Sequence, residues 1–501
     1  MSIKVKAMRY ILAIDQGTSS SRCIVYDQTA MPVAMAQQAF TQHFPCPGWV
    51  EHDTEEIWAS QSGVIRQAMR QAQLQPADIA GIGITNQRET TVIWERSTGK
   101  PIYNAIVWQD RRTADDCIRL KQAGSETLVK TKTGLLLDAY FSATKIGWLL
   151  DHVEGARVKA ERGELAFGTI DSWLVWKLTD GELHITDVSN AARTLLFNID
   201  TLQWDDELLA LFNIPASLLP AVKSSSEIYG QTRNQEIGAG MPIAAIAGDQ
   251  QAGLFGQLCT NAGMAKCTYG TGSFLMMNTG SQRIASNHGL LTTIAWQIGD
   301  QIHYALEGSV FVGGAAIQWL RDGLGLFEQA SDSEQLARSV ADNGGVYFVP
   351  ALTGLGAPHW DPHARGAIFG ITRGTTSAHL TRAALESICF QVDDVLQIFS
   401  AESGSPITQL RIDGGAAVNN MLAQFQADIS AVEVVRPTNL ETTALGAAYL
   451  AGIAIGLWTI DELKQKWRID RSFRETMPMP EVKALKRHWL KAVDRSKNWA
   501  E

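Results

Sequence analysis

The sequence predicts an α/β protein made of two similar halves, chiefly because a strand–turn–strand pattern occurs twice. An apolar run ends at Asp15, enters the polar turn 17–21 and continues as a second strand at residues 23–26. The second copy starts near residue 264, turns at Gly270-Thr271-Gly272 and resumes at residues 274–277. Elsewhere strand-like runs alternate with helical apolar spacing, as α/β folds require. We therefore expect two duplicated domains, residues 1–254 and 255–501.

Composition narrows the class of protein. A chain of 501 residues with 45% hydrophobic and 19% charged side chains can bury a large core. Its 43 Lys and Arg against 52 Asp and Glu give a net charge of −9, without a run of like charge that could form a basic groove, so we expect no nucleic-acid partner. Six scattered cysteines and an apolar run of residues 10–14, too short for a signal sequence or a membrane span, predict a cytoplasmic protein without membrane insertion.

Individual elements follow from apolar spacing and from turn residues. The predicted strands are 80–85, 242–247, 292–297, 301–306 and 410–412, with a hairpin around Gly299-Asp300. The predicted helices are 58–72, 141–152, 420–429 and the Ala- and Gly-rich stretch 442–457, which we expect to be buried and closely packed. The charged tail after Trp458 is predicted to be a surface helix and connector.

The two hairpin turns are the candidate phosphate sites. The chain contains neither GxxxxGK[ST] nor GxGxxG, and it lacks the HRD and DFG motifs of protein kinases. Gly allows the backbone to approach a phosphate closely, and neighbouring Thr and Ser offer hydroxyls and amides to its oxygens. Ordinary turn chemistry is the alternative for either turn alone. Two such turns in equivalent places favour phosphate binding.

Carboxylates at strand ends are a second indication of chemistry. Asp15 follows the first buried strand, and Asp249 follows the strand 242–247 after Gly248. Ligands of open α/β folds bind at this edge of the sheet. Phosphoryl transfer needs Mg²⁺ and a carboxylate that orients the attacking hydroxyl, so these two acids could divide that work. The alternative is that each Asp only caps a turn.

A polar segment, residues 85–91, comes directly after the strand that ends near Ile84. It contains Arg88 beside Glu89, a donor next to an acceptor, which suits the hydroxyls of a small polyol. Trp108 and Tyr140 could supply an apolar wall against the carbon chain of such a substrate. The alternatives are a solvated strand end and aromatic residues that belong to the core.

Two long segments carry a resemblance to a known family. They are residues 140–152, YFSATKIGWLLDH, and residues 366–386, which begin GAIFGI and end AALE. With them the chain resembles the FGGY family of carbohydrate kinases over nearly its whole length. The segments 15–19, 85–90 and 248–251 are similar to those of members that phosphorylate glycerol. The resemblance implies two actin-like domains of the hexokinase and Hsp70 type, ribonuclease H-like in fold, with a cleft between them.

The same resemblance implies site residues and ligands. ATP, Mg²⁺ and glycerol are the implied ligands, and Asp249 is the implied general base. The residues expected to contact glycerol are Arg88, Glu89, Trp108, Tyr140, Asp249, Gln250 and Phe274. Those expected to contact the nucleotide are Thr18, Ser19, Ser20, Arg22, Thr271, Gly314, Gln318, Gly415 and Asn419. Asp15 and Asp249 are the expected metal carboxylates.

Some alternatives stay open at this point. An actin-like or chaperone-like ATPase would share the fold but would have no need of a polyol pocket. Within the carbohydrate kinases, a pentulose or gluconate kinase is the second choice. Ser273 stands where bacterial relatives usually have Cys, a change of one small side chain for another that we expect to matter little. A homo-oligomer, dimer or tetramer, is also expected.

One loop bears on regulation. Some family members bind a sugar bisphosphate through a Gly-rich loop that carries a basic residue, because such an anion needs Lys or Arg nearby. The corresponding stretch here, residues 235–241, has no cation and contains Glu236. Arg233 lies just upstream and could compensate. We expect fructose 1,6-bisphosphate to have no effect.

Overall fold

The computed structural model describes residues 9–500, which form two compact units. Unit 1 contains the chain up to Leu258 together with Thr292–Tyr304 and Thr442–Lys466. Unit 2 contains Cys259–Leu291, Ala305–Glu441 and the remainder from Trp467. Each unit therefore draws on more than one stretch of the chain.

Strands and helices alternate along the chain, as the sequence predicts for an α/β fold. The strands are β1 Tyr10–Gln16, β2 Ser20–Tyr26, β3 Pro32–Ala39, β4 Glu51–His52, β5 Ile79–Asn86, β6 Val92–Glu95, β7 Ala105–Ile106, β8 Leu165–Gly168, β9 Ile185–Asp187, β10 Phe197–Asn198, β11 Gln203–Trp204, β12 Ala221–Lys223, β13 Ser226–Gln231, β14 Pro242–Gly248, β15 Ala265–Tyr269, β16 Ser273–Gly280, β17 Leu291–Ile298, β18 Gln301–Val310, β19 Tyr347–Val349, β20 Ala367–Phe369, β21 Gln409–Asp413, β22 Glu433–Pro437 and β23 Ile469–Phe473. The helices are α1 Thr54–Gln71, α2 Ala114–Gln122, α3 Glu126–Thr133, α4 Ser142–His152, α5 Ala156–Glu161, α6 Ile170–Leu178, α7 Val188–Ala191, α8 Asp206–Phe212, α9 Asp249–Gly256, α10 Gly314–Asp322, α11 Asp332–Arg338, α12 Ser377–Ser403, α13 Asn420–Ser430, α14 Thr442–Ala454, α15 Ile460–Lys466 and α16 Met479–Ser496.

The sheet of unit 1 aligns the ends of three parallel strands. Its strand order is β17-β13-β14-β5-β1-β2-β3, with β1 antiparallel to β2 and parallel to β5. Strand β14 is also parallel to β5. Asn86 pairs with Gln16 on one side and with Gly248 on the other, so the three carboxyl ends are level. Residues that follow these ends therefore meet at one edge of the sheet.

Two helices of unit 1 cross unusually closely at glycine. A Cβ on Gly446 of α14 would lie 1.8 Å from Ala252 O, and one on Gly256 of α9 would lie 1.9 Å from Thr442 O. No other residue type fits these positions without displacing backbone. Since α9 begins at Asp249, this crossing anchors the helix that carries that carboxylate.

Unit 2 repeats the arrangement around its own sheet. The strand order is β23-β22-β21-β15-β16-β18, with β15 antiparallel to β16 and parallel to β21. Thr268 pairs with Asp413, which brings the turn after β15 and the turn after β21 to the same edge. Helices α12 and α13 bury apolar faces in the hydrophobic core of this unit. The duplicated α/β architecture expected from the sequence is confirmed.

Most predicted elements are confirmed within one to four residues, and the charged tail is the exception. Residues 460–466 are helical as predicted, but the connector that follows contains the strand β23, which pairs with β22. Only Phe473 of β23 is buried, so its charged, exposed residues have the pattern of a protected edge strand rather than of a strand with alternating burial.

All six cysteines are free, and five of them are buried. No helix within residues 9–500 is long and apolar enough to cross a membrane.

Candidate active site

Three predicted residues lie at the level edge of the unit 1 sheet. Asp15 is the penultimate residue of β1, Arg88 follows β5 by two residues, and Asp249 is the first residue after β14. Because β1, β5 and β14 are parallel neighbours, their side chains converge although they lie far apart in sequence. This convergence is the core of the candidate site.

Arg88 contacts several other side chains of the candidate site. Its Nε lies 3.2 Å from Asp249 Oδ1 and 3.8 Å from Glu89 Oε1. Its Nη1 donates to Gln251 Oε1 (3.2 Å), and its Nη2 donates to Tyr140 Oη (3.4 Å). The side chains of Arg88 and Glu89 are 2% and 1% exposed, whereas that of Asp249 is 31% exposed. Asp249 is therefore the acid of this cluster that a ligand can reach.

Gly248 makes room for the Arg88 side chain. A Cβ at Gly248 would lie 2.8 Å from Arg88 Cγ and 2.7 Å from Arg88 Cδ. Its backbone N–H donates to Ser189 Oγ (2.9 Å), and Ser189 in turn donates to Asp187 Oδ1 (2.9 Å). A buried polar network thus holds the end of β14, next to Asp249 in the chain.

Glu89 occupies a backbone conformation that most residues avoid. Its φ is +61°, in the left-handed region. Its carbonyl accepts from Ser142 Oγ (3.0 Å) and Thr91 Oγ1 (3.1 Å), and its carboxylate Oε1 accepts from Arg193 Nε (2.6 Å). Such strained residues persist when their surroundings over-determine them, which is common at functional sites.

Two aromatic side chains line the same region. The rings of Trp108 and Tyr140 meet edge to face, with centroids 5.5 Å apart, and both side chains are half-buried. Trp108 Nε1 donates to Thr18 Oγ1 (3.0 Å), which ties this wall to the first hairpin turn. The main chain at Tyr140 is fixed by Lys145, whose Nζ donates to Tyr140 O (2.6 Å). Burial lowers the pKa of Lys145 to about 8, although the Glu89 carboxylate opposes that shift.

The first hairpin turn presents polar groups beside Asp15. Gly17 N donates to Ser20 O (3.0 Å), which closes the turn, and Ser19 is exposed at its tip. Burial raises the pKa of Asp15 to about 6, Arg22 opposes that rise, and the Asp249 carboxylate adds to it. The mutual effect of the two acids indicates that a cation at this edge would be stabilised by both.

The described residues contain no preformed metal cage. No group of three or more His, Cys, Asp or Glu side chains is placed to hold an ion anywhere in residues 9–500. Mg²⁺ in phosphoryl-transfer enzymes is bound by one or two carboxylates together with substrate phosphates and water. Asp15 and Asp249 fit that pattern.

The second hairpin turn lies in unit 2 and is tied to a helix start. Thr271 O accepts from Gly313 N (2.8 Å) and Ala315 N (3.0 Å), and Gly270 O accepts from Gly314 N (2.8 Å). A Cβ at Gly314 would lie 2.8 Å from Gly270 O, so this approach needs glycine. Thr271 is exposed, and Ser273 is buried at the start of β16.

The remaining predicted residues of unit 2 occupy three places. Gly415 is exposed in a short 3₁₀ helix after β21, and Asn419 caps α13 by accepting from Leu422 N (3.0 Å). Gln318 is exposed on α10. Phe274 is half-buried on β16, opposite Thr268. The turns of Thr271 and Gly415 share an edge of the unit 2 sheet, since β15 and β21 are parallel neighbours.

Sequence reasoning missed several groups that support these side chains. Arg193, Lys145 and Gln251 all contact the Arg88–Glu89 segment or Tyr140, yet none was a predicted site residue. A fully buried Arg and a fully buried Lys are rare, but their burial is invisible in the sequence. Lys145 and Gln251 lie within the segments 140–152 and 248–251 that carry the family resemblance, whereas no sequence pattern marks Arg193.

Family profiles match both halves of the chain. The N-terminal domain of the FGGY family of carbohydrate kinases matches residues 10–256, and its C-terminal domain matches residues 265–455. These matches, together with the fold, define a carbohydrate kinase. The chain belongs to the FGGY family of carbohydrate kinases.

Individual relatives are similar over nearly full length. A protein from Parabacteroides distasonis named glycerol kinase is 62% identical, covering 98% of this chain and 99% of the relative. Another glycerol kinase, from Paraburkholderia phytofirmans, is 60% identical with the same coverage. Among solved structures, Plasmodium falciparum glycerol kinase with ADP has a TM-score of 0.92 at 37% identity, covering 98% of both chains. Gluconate kinase from Lactobacillus acidophilus, at 23% identity and a TM-score of 0.86, covers 97% of both chains and shows the shared fold.

Proposed function

We propose that this chain transfers the γ-phosphoryl group of ATP to glycerol, forming ADP and sn-glycerol 3-phosphate. The observation that carries the proposal is the buried Arg88, which contacts Asp249 and Tyr140 and lies beside Glu89. Near-full-length relatives with the name glycerol kinase support the same substrate. An ATPase without a small acceptor would not need this cluster.

The chemistry of the cluster suits a small polyol. Each hydroxyl of glycerol both donates and accepts, so it needs a cation on one side and a carboxylate on the other. Arg88 is the donor, and Glu89, Asp249 and Gln250 complete the polar contacts. The rings of Trp108 and Tyr140 cover the carbon chain. Phe274 of unit 2 is assigned to glycerol on the family resemblance alone.

Asp249 is the general base in this proposal. It is the reachable acid of the cluster, and Gln250 N donates to its Oδ1 (2.7 Å), which fixes one oxygen. Phosphoryl transfer passes through a loose transition state, so the base mainly orients the hydroxyl and takes its proton late. A well-held carboxylate can perform that task without unusual basicity.

Backbone turns and hydroxyls bind the nucleotide. We assign Thr18, Ser19, Ser20 and Arg22 in the first hairpin and Thr271 in the second to the phosphates. The residues assigned to the rest of the nucleotide are Gly314, Gln318, Gly415 and Asn419. When bound, Mg²⁺ neutralises charge on the phosphates, and Asp15 and Asp249 are the carboxylates that would hold it, directly or through water.

The cytoplasmic location, the homo-oligomeric state and the boundary between domains 1–254 and 255–501 stay predictions.

A coupled assay of ADP release tests the proposal. The purified chain, MgATP and one acceptor at a time are compared across glycerol, D-xylulose and D-gluconate. We expect glycerol to give the highest kcat/KM by a wide margin. Faster turnover of the pentulose or the gluconate would contradict the substrate, and ADP release without any acceptor would favour an ATPase.

A further inference from the structure

We propose that Arg193 is a positioning residue for substrate selection, acting through the carboxylate of Glu89. This inference rests on the proposed function, in which Glu89 binds a glycerol hydroxyl. Arg193 follows α7, and its side chain is 0% exposed. None of the motifs in the sequence singles it out, because it lies 104 positions from Glu89.

The contact between the two side chains is short and buried. Arg193 Nε donates to Glu89 Oε1 at 2.6 Å, and the Glu89 side chain is 1% exposed. The guanidinium carbon of Arg193 also lies 5.7 Å from the ring centroid of Tyr140 and 5.2 Å from that of Phe141. One buried cation therefore fixes an acid and packs against an aromatic residue, both of which are assigned to glycerol.

Arg193 determines whether Arg88 pairs with Asp249 or with Glu89. Arg88 Nε lies 3.2 Å from Asp249 Oδ1 but 3.8 Å from Glu89 Oε1. Since Glu89 already has a closer cationic partner in Arg193, Arg88 stays with Asp249. Without Arg193 the buried Glu89 carboxylate would lose a partner that compensates its desolvation, and it would draw Arg88 away or take up a proton. In either case the substrate loses a fixed acceptor.

The backbone around Arg193 makes the position rigid. Arg193 N donates to Asn190 O (3.0 Å), and Thr194 O accepts from Ala143 N (2.9 Å) at the start of α4. Helix α4 begins at Ser142, whose Oγ donates to Glu89 O (3.0 Å). The same short segments therefore hold both ends of Glu89, its carbonyl and its carboxylate.

Kinetics of Arg193→Gln test the inference in the full-length protein. We expect KM for glycerol to rise about 10- to 100-fold, the range for loss of a hydrogen bond to a charged group, while KM for ATP changes less than about threefold. Arg193→Lys keeps the charge but loses the planar donor set and the ring packing, so it should recover only part of the affinity.

A double-mutant cycle separates positioning from general damage. If Arg193 acts through Glu89, Arg193→Gln should change KM for glycerol by less than about threefold in a Glu89→Gln background. Arg382→Gln is a matched control, because Arg382 pairs with the buried Glu386 in unit 2 (2.8 Å) and has no assigned role. It should lower the melting temperature without raising KM for glycerol.

The outcomes distinguish this inference from the proposed function. If the unaltered protein does not phosphorylate glycerol, the proposed function fails and the inference fails with it. If the unaltered protein is active, three results would overturn the inference alone: an unchanged KM for glycerol in Arg193→Gln, an equal rise in KM for ATP, or the same fold-change in the Glu89→Gln background.

Discussion

Arg88 Nε and Asp249 Oδ1 lie 3.2 Å apart, although the two residues follow different strands of the sheet. The contact joins a nearly buried cation to an acid that is 31% exposed. A carboxylate in this position is oriented from inside the protein and open on its outer side. That geometry is what a residue needs in order to align an incoming hydroxyl.

Replacing the Asp249 carboxylate should therefore affect turnover more than folding. We expect Asp249→Asn to lower kcat for glycerol by about 10² to 10⁴, the usual range for general acid–base catalysis. The amide keeps the shape of the side chain, so the melting temperature should change little. ATP binding should also change little, because Asp15 remains to hold Mg²⁺ and the phosphate turns are unaltered. Steady-state kinetics with a calorimetric check of ATP binding measure both. Near-normal turnover in the purified variant would remove Asp249 from the mechanism.

Gly248 offers a test of Arg88 placement that leaves its charge in place. In Gly248→Ala the new methyl group would meet Arg88 Cγ and Cδ at 2.8 and 2.7 Å, so the side chain must shift. We expect KM for glycerol to rise about 10-fold or more, because a shift of the order of 1 Å at a site can cost that much. KM for ATP should be nearly unchanged.

Gly374→Ala is the control for this glycine substitution. Its added Cβ would have its nearest neighbour, Thr372 Oγ1, at an ordinary 3.8 Å, and the residue lies in unit 2. Its kinetics should match those of the unaltered protein. If both variants raise KM for glycerol equally, the close approach at Gly248 does not govern Arg88.

Local sequence patterns predict which residues lie near strand ends, but not which strands are neighbours in the sheet. Asp15, Arg88 and Asp249 lie at or just after the ends of three apolar strands, and they converge because those strands are parallel neighbours in the sheet. The apolar pattern places each residue near a strand end, but it left turn caps and a solvated strand end as alternatives. Tyr140 follows no strand, so the sequence offered it only as a possible apolar wall or a core aromatic, and the family resemblance then implied a contact with glycerol. Neither the strand pattern nor the family resemblance identified Arg193. Its partner Glu89 is distant in sequence, and the sequence does not reveal that both side chains are buried.

In the charged tail after Trp458, the sequence did not predict the strand β23. Residues 469–473 contain one Arg and one Asp among five residues and bury only Phe473, so periodicity does not identify them as a strand. They are held by main-chain pairing with β22, a contact that depends on the neighbouring strand rather than on their own composition. Edge strands are for this reason harder to predict than central ones.

The protonation state of Asp15 should make the free energy of unfolding depend on pH. Burial raises its pKa to about 6, against about 3.9 for a free side chain, so the folded protein binds this proton more tightly than the unfolded chain. The stabilising effect of protonation is complete below about pH 4 and is lost as pH rises through about 6. At neutral pH the charged Asp15 therefore lowers the free energy of unfolding.

We expect Asp15→Asn to melt about 2 °C higher than the unaltered protein at pH 7.5 and at the same temperature near pH 4. Its turnover at pH 7.5 should fall, because the site loses a charge assigned to Mg²⁺. Scanning calorimetry across pH and kinetics at several Mg²⁺ concentrations provide the measurements. Asp461→Asn is the control, since Asp461 is 89% exposed. A pH-independent difference in melting temperature would show that Asp15 does not titrate as described.

We expect the Gly-rich loop that contains Glu236 to disfavour binding of a sugar bisphosphate. Glu236 lines a cavity of 1160 Å³, in which Lys177 is already paired with Glu55 at 2.9 Å. Arg233, the cation just upstream of the loop, is paired with Glu182, to which its Nη2 donates at 2.6 Å. Arg96 and Lys100 also line the cavity, but they lie outside the loop. At the loop itself, an anion with two phosphates would meet Glu236 and would have to break the Arg233–Glu182 pair to gain that cation.

We therefore expect fructose 1,6-bisphosphate at millimolar concentration to leave both activity and oligomeric state unchanged. ADP-release assays and light scattering, each with and without the effector, measure the two properties. The double variant Glu182→Gln, Glu236→Lys releases Arg233 and replaces the repelling acid by a cation, so it should bind the effector more tightly than the unaltered protein. Clear inhibition of the unaltered protein, together with tetramer formation, would show that the acidic loop does not exclude the bisphosphate. Arg233 would then be the next residue to replace, because a rearrangement that frees it from Glu182 would supply the missing charge.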